Sequence, residues 1–272
     1  MTESSMMKTS ILKRAATIVA LMFTSAAAFA SEGGDLMHAG TDLEDKASLQ
    51  RGAQLYANYC GSCHSLKYMR YSRMAEDLGL SEEQVMQNLN FSGAKFGEHM
   101  VATMPAASAE KWFGKAPPDL SVISRVRGSD WIYTYLKSFY LDDTRPLGWN
   151  NRLFANASMP NPLWEMQGLQ RPVYTKKVQV DTDDKGKPVM GCEHGTTEAD
   201  DSCIKELVVS QPGAQNKAQF DQTARDIAAF LEYVGEPVAL KRQQVGVWVV
   251  LFLAFFTLMA WLLKREYWRD VH

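Results

Sequence analysis

Cysteine, histidine and net charge are all scarce in this chain. Four cysteines in 272 residues are too few to staple a small fold by disulfides alone. The formal net charge is only −2, from 29 Lys plus Arg against 31 Asp plus Glu, which leaves no basic footprint for nucleic acid. What is present is apolar. Hydrophobic residues make up 46% and aromatics 11%, enough for a sizeable core and against wholesale disorder. The length leaves room for one or two domains.

The averages hide an apolar segment at each end. Lys8, Lys13 and Arg14 precede the short apolar run 15–23, and Ala28-Phe29-Ala30 is a small-x-small cleavage site. That order predicts an export signal over 1–30. Near the other end, 245–263 is 19 residues without a charge, reaching about 28 Å as a helix. Lys241 and Arg242 precede it, Lys264, Arg265 and Arg269 follow it, and Trp248, Trp261, Tyr267 and Trp268 suit the interfacial belts. The expected organisation is a signal peptide at 1–30, an exported head at 31–240 and a membrane anchor with a short cytoplasmic tail at 241–272. The expected setting is a bacterial inner membrane with the head in the periplasm. Residues 31–240 hold 21 basic and 28 acidic side chains, a net of −7, which favours encounter with a basic partner or simply keeps the head soluble.

One motif carries chemistry. Cys60-Gly61-Ser62-Cys63-His64 has the C-x-x-C-H spacing of covalent c-type haem attachment. Two thiols add to the vinyl groups, and the next residue offers an imidazole to the iron from the same turn. A thioredoxin-like pair needs a βαβ context that the sequence lacks. A zinc site needs a second ligand pair, of which Cys192-Glu193-His194 supplies only part. No second C-x-x-C-H occurs, which argues against a dihaem peroxidase.

The flanks read as helices. Ser48 is expected to cap a helix through Leu49, Gly52, Ala53 and Tyr56 that runs into Cys60. Ile227, Phe230, Leu231 and Val234 follow helical spacing within 220–234, and Gly235 and Pro237 stop that helix. The small residue Gly52 predicts that the two helices cross there, close to Phe230 or Tyr233.

The sixth position on the iron stays open from spacing alone. His99 is the main imidazole candidate, since His38 lies in the N-terminal tail and His272 beyond the anchor. A Met sulfur opposite His suits electron transfer. Met104 and Met159 both sit next to prolines, in Thr103-Met104-Pro105 and Ser158-Met159-Pro160.

The segment 56–68, YANYCGSCHSLKY, resembles the haem segment of the cytochrome c1 family. Further segments resemble that family in its order: 116–121 (APPDLS) followed by an arginine, 154–160 (FANASMP), 226–231 (DIAAFL) with Glu236-Pro237, and a single C-terminal anchor with a basic tail. The resemblance covers nearly all of 35–272. It implies one haem c held by Cys60 and Cys63, with His64 and Met159 as axial ligands and Met104 as the second choice. It implies Arg127 as a partner for a haem propionate, with Arg125 the nearby alternative. Pro117 and Pro118 would line the His64 face, where a backbone carbonyl can orient the ring. The implied function is a one-electron relay in a quinol–cytochrome c reductase. Its partners would be cytochrome b, a Rieske iron–sulfur protein as donor and a cytochrome c as acceptor. The chain itself would break no substrate bonds. The rival is an anchored monohaem cytochrome c serving a terminal oxidase or nitric oxide reductase.

The expected fold is an all-α, class I cytochrome c-like head with long insertions plus one transmembrane helix. Within 174–210, Val178, Val180, Val189, Leu207, Val208 and Val209 leave room for a small hairpin. Cys192 and Cys203, with ten residues between them, are expected to pair, worth on the order of 2–3 kcal/mol. The acidic residues Asp181, Asp183, Asp184, Glu198, Asp200 and Asp201 of that insertion are either a docking surface or a solvated loop.

Overall fold

A computed structural model describes residues 36–182, 186–193, 196–199 and 202–270. The export signal expected over 1–30 lies outside the described residues, as do His194, His272 and Asp183, Asp184, Asp200 and Asp201 of the acidic cluster.

Two helices cross at the centre. Helix α1 spans Lys46–Tyr59 and ends at Cys60. A second long helix spans Lys217–Gly235, starting three residues before the predicted one because Asn216 and Gln219 form a capping box. Between them come β1 (Leu66–Arg70), α2 (Tyr71–Leu78), α3 (Glu82–Asn88), β2 (His99–Met100), α4 (Ala106–Phe113), α5 (Ile123–Arg127) and α6 (Ser129–Lys137). Then follow β3 (Phe139–Leu141), β4 (Trp149–Asn151), α7 (Trp164–Gln167) and the strands β5 (Gly168–Lys176), β6 (Val178–Thr182), β7 (Pro188–Gly191), β8 (Thr197–Ala199) and β9 (Ser202–Pro212). The long helix Lys217–Gly235 is α8, and α9 spans Ala239–Tyr267.

The crossing is as close as Gly52 suggests. A Cβ at Gly52 would stand 2.7 Å from the Phe230 Cβ and closer still to the Asp226 carbonyl. Only a residue without a side chain admits this approach. Tyr56 and Phe230 meet with ring centroids 5.6 Å apart, and both are fully buried. Burying each such ring contributes about 1.5–3 kcal/mol. The crossing is also pinned by charge. Asp226 is 2% exposed and accepts from Arg51 Nε at 2.7 Å, from Ser48 Oγ at 2.6 Å and from Gln222 Nε2 at 2.7 Å. Ser48 is therefore not the helix cap. Asp45 is the cap, its carboxylate accepting from Ser48 N at 3.0 Å, which frees the Ser48 hydroxyl for Asp226.

The all-α expectation is corrected. Among the described residues, 45% are helical and 20% are in strands. Nine strands form four sheets among the described residues, three of them two-stranded. Antiparallel β5 and β9 build a long ribbon, with β8 added to β9, and β6 pairs with β7. The small hairpin foreseen in 174–210 is thus two ribbons. Its valines, threonines and tyrosine are β-branched or aromatic, so they favour a pleated strand over a helix. The pairs β1–β2 and β3–β4 hold loops around the site and are too short to show a period. Cys192 and Cys203, the pair left over from the C-x-x-C-H motif, are disulfide-bonded.

Helix α9 is strongly apolar, and none of its most apolar stretch is buried within the chain. It is the only helix among the described residues long and apolar enough to cross a membrane.

Candidate functional site

Helix α1 delivers the motif. Its last carbonyl bonds come from Cys60 N and Gly61 N, both to Tyr56 O, and His64 N then closes onto Cys60 O at 2.8 Å. This single turn brings Cys60, Cys63 and His64 together. Cys60 and Cys63 are both free thiols. Burial, with Cys63 as a lesser influence, pushes the Cys60 thiol up to about 12. Without a bound group it is therefore held as the thiol.

His64 is oriented from behind. Its Nδ1 donates to the Pro118 carbonyl at 2.8 Å, which fixes the proton on Nδ1 and leaves the Nε2 lone pair as the ligating atom. Burial holds its pKa below the usual imidazole value against the opposing pull of that carbonyl, so the ring is neutral, the form that binds iron. The Tyr56 hydroxyl donates to the His64 carbonyl. The Pro118 segment is itself tied down. Leu120 N reaches Ser65 O at 2.9 Å, Lys67 N reaches Asp119 Oδ2 at 3.0 Å, and Tyr68 N reaches Ser121 Oγ at 3.1 Å. Burial would raise the Asp119 pKa, but hydrogen bonds from Ser121 and Lys67 outweigh it and hold the carboxyl below its usual range.

The two Met candidates have different surroundings. Met104 N donates to Ser62 O at 3.1 Å, so Met104 belongs to the attachment turn. Met159 follows β4 in a loop organised by asparagines. Asn151 Oδ1 accepts from Leu153 N and Phe154 N, and Asn150 Oδ1 accepts from Asn156 N at 2.8 Å. Asn156 takes a left-handed φ of 62°, which asparagine tolerates, and Arg145 Nη1 holds its side chain at 2.9 Å. The Met159 sulfur meets the Tyr135 hydroxyl at 3.7 Å. A cleft of about 180 Å³ opens beside this loop, lined by Trp112, Arg145, Trp149 and Ser158 among others.

Arg127, at the end of α5, is exposed and lies over the Trp131 ring at 5.3 Å. No carboxylate pairs with it among the described residues. Arg125 instead bonds Glu236 at 2.7 Å, beside Arg242 at the foot of the anchor. His99 sits in β2 opposite Arg70, and its buried Nδ1 has no partner among the described residues. His38 is exposed beside Asp130.

Sequence reasoning missed Tyr135, Asn150, Asn151 and Arg145. A signal for Tyr135 was present: Trp131, Tyr135 and Phe139 recur every four residues. Trp131 and Tyr135 stack at 4.9 Å, while Tyr135 and Phe139 meet edge-on at 5.0 Å. Burial pushes the Tyr135 phenol up to about 12. The donor set of two free thiols, a neutral imidazole with a free Nε2 and a thioether fits a c-type haem.

The family model described as "Cytochrome C1 family" matches residues 39–189 and 202–271. The interruption coincides with most of the loop that the Cys192–Cys203 bond closes. A cytochrome c1 of Allochromatium vinosum is 46% identical over 93% of this chain and 96% of its own length. The protein named ammonia monooxygenase gamma subunit from Nitrosomonas europaea is 40% identical over 85% of this chain and 86% of its own length. A cytochrome c1 of Rhodospirillum rubrum is 26% identical over 97% of this chain and 99% of its own length. With matches over nearly its whole described length, this chain belongs to the cytochrome c1 family of haem-carrying electron-transfer subunits.

Proposed function

We propose that this chain relays single electrons from a Rieske iron–sulfur protein to a cytochrome c, within a quinol–cytochrome c reductase that also contains cytochrome b. The observation that carries this reading is the turn Cys60–His64, with two free thiols and an imidazole aimed by the Pro118 carbonyl. The haem, when bound, supplies one-electron chemistry at its iron. In this reading Cys60 and Cys63 would hold one haem c through two thioether links, and His64 Nε2 would ligate its iron.

Met159 would supply the second protein ligand to the iron. Met104 is bonded through its backbone to Ser62 of the attachment turn, whereas Met159 stands in a separate loop. The asparagine-held loop supports Met159 as a rigid donor, and a Met sulfur opposite His raises the potential. Arg127 serves a propionate, which its guanidinium binds by charge-assisted hydrogen bonds; the absence of a competing carboxylate among the described residues supports this over Arg125, which is engaged by Glu236. Pro118 lines the His64 side. Buried Tyr56 and Phe230 keep water from the rear of the attachment turn.

We further propose that 1–30 is an export signal, that 31–240 is the periplasmic head, and that 241–272 anchors it in the inner membrane with the C-terminus in the cytoplasm. The test is purification of the mature full chain from detergent-solubilised membranes. The expected result is one haem per chain that resists extraction by acidified acetone, copurifying with a b-type cytochrome and a Rieske protein. Copurification with a terminal oxidase or nitric oxide reductase instead would move the chain to an anchored monohaem carrier. A chain that matures colourless would overturn the haem reading itself.

A further inference from the structure

Tyr135 is clamped on both sides. Its ring stacks on Trp131 with planes 9° apart and centroids at 4.9 Å, and meets Phe139 edge-on at 5.0 Å. Its backbone carbonyl accepts from Asn151 Nδ2 at 2.8 Å, and Asn151 also organises the turn leading to Met159. Ring and loop are therefore fixed to one another. The hydroxyl comes out of this clamp at the Met159 sulfur, 3.7 Å away, its one hydrogen-bond partner among the described residues.

We propose that Tyr135 is a positioning residue for the sixth iron ligand, its hydroxyl donating to the Met159 thioether and thereby setting both the direction and the donor strength of the sulfur. The proposal rests on the reading that Met159 ligates the iron. A thioether sulfur has two lone pairs. A hydroxyl proton on one leaves the other directed away from Tyr135 and draws electron density from it. The positive end of the O–H dipole also points toward the metal side. Both effects favour reduced iron, which carries one positive charge less than oxidised iron. The clamp matters because the bond is weak singly: a loose tyrosine would turn to water, whereas a ring held by two aromatic neighbours loses little further entropy in making the contact.

The test compares Tyr135→Phe with Met159→Leu in the haem-loaded full chain. Phe keeps the stack and removes only the hydroxyl. Two readouts are taken, the midpoint potential and the near-infrared sulfur-to-iron charge-transfer band. In Tyr135→Phe the band is expected to move and the potential to fall. A threefold shift of the reduction equilibrium toward oxidised iron is about 28 mV, at 59 mV per tenfold for one electron. Loss of the band in Tyr135→Phe with the haem still attached supports the proposal equally, since the sulfur has then left the iron. Unchanged potential and unchanged band in Tyr135→Phe, with the band abolished in Met159→Leu, would overturn the role of Tyr135 and leave Met159 as ligand. A band that survives Met159→Leu would overturn the ligation reading instead, and the proposal with it.

Discussion

His64 is aimed by a residue 54 positions away, its Nδ1 held at 2.8 Å from the Pro118 carbonyl. That carbonyl is only as fixed as the segment carrying it, and Asp119 fixes the segment by accepting from Lys67 N at 3.0 Å and Ser121 N at 2.9 Å. Asp119→Ala removes both bonds and should cost about 1–2 kcal/mol of stability. It should also broaden the electron paramagnetic resonance signal of the oxidised haem, because the His64 ring would sample more orientations. Asp119→Asn keeps one accepting oxygen and should show a smaller change. Equal spectra in wild type and Asp119→Ala would mean that the Pro118 segment does not orient the imidazole.

Gly52 sits where α1 touches Asp226 and Phe230 of α8. Ala there has no room against a backbone carbonyl, which cannot rotate away as a side chain can. Gly52→Ala should destabilise by about 1–3 kcal/mol through overpacking, and Gly52→Val by more. Thermal unfolding followed at the haem absorbance measures this. A melting temperature equal to wild type in Gly52→Val would contradict the close crossing.

What the sequence revealed and what it hid follow from the range of the interactions. The attachment turn is legible because five consecutive residues carry it. The α1–α8 crossing is legible because burial repeats with the helical period and Gly52 marks the point of contact. The cap was misread because Asp45 and Ser48 are both good N-caps three residues apart, and the choice is made by Asp226, a partner 178 residues from Ser48. The strand content was underread because the ribbon of β5 and β9 is stabilised mainly by backbone pairing and presents exposed valines on its surface, such as Val208 and Val209, so no buried face imposes a pattern. The support for Met159 was invisible because it consists of asparagine side chains bonding to backbone, and asparagines in a loop read as mere turn formers.

The bond between Cys192 and Cys203 closes a loop of separation 11 that the family model leaves largely unmatched. Cys203 is fully buried at the start of β9, so the bond ties the loop to the ribbon. Replacing both with Ala should lower stability by about 2–3 kcal/mol through freed chain entropy. Proteolysis within the loop should accelerate, while haem content per chain should stay at the wild-type level, since Cys60 and Cys63 are the free pair. A drop in haem content would show that the two cysteine pairs exchange during maturation.

The loop carrying Met159 should also respond to acid through Asp142. Its Oδ1 accepts from Thr144 N at 3.0 Å and Thr144 Oγ1 at 2.6 Å, and its Oδ2 accepts from Asn150 Nδ2 at 2.8 Å. Burial would raise its pKa, but those hydrogen bonds and the Arg145 charge outweigh it, so the folded value lies below the ordinary 3.8. The folded state thus binds fewer protons than the unfolded state at this group. The stabilisation is complete above the ordinary value and is lost as pH falls through it toward the folded value. Asn150 in turn holds Asn156, so protonating Asp142 loosens the turn before Met159. The sulfur-to-iron band should therefore stay constant from neutrality to about pH 5 and weaken below about pH 4. Asp142→Asn should start with a weaker band at neutral pH and lose less of it on acidification, because the titrating group is gone. Parallel acid titrations in wild type and Asp142→Asn would assign the loss to another carboxylate.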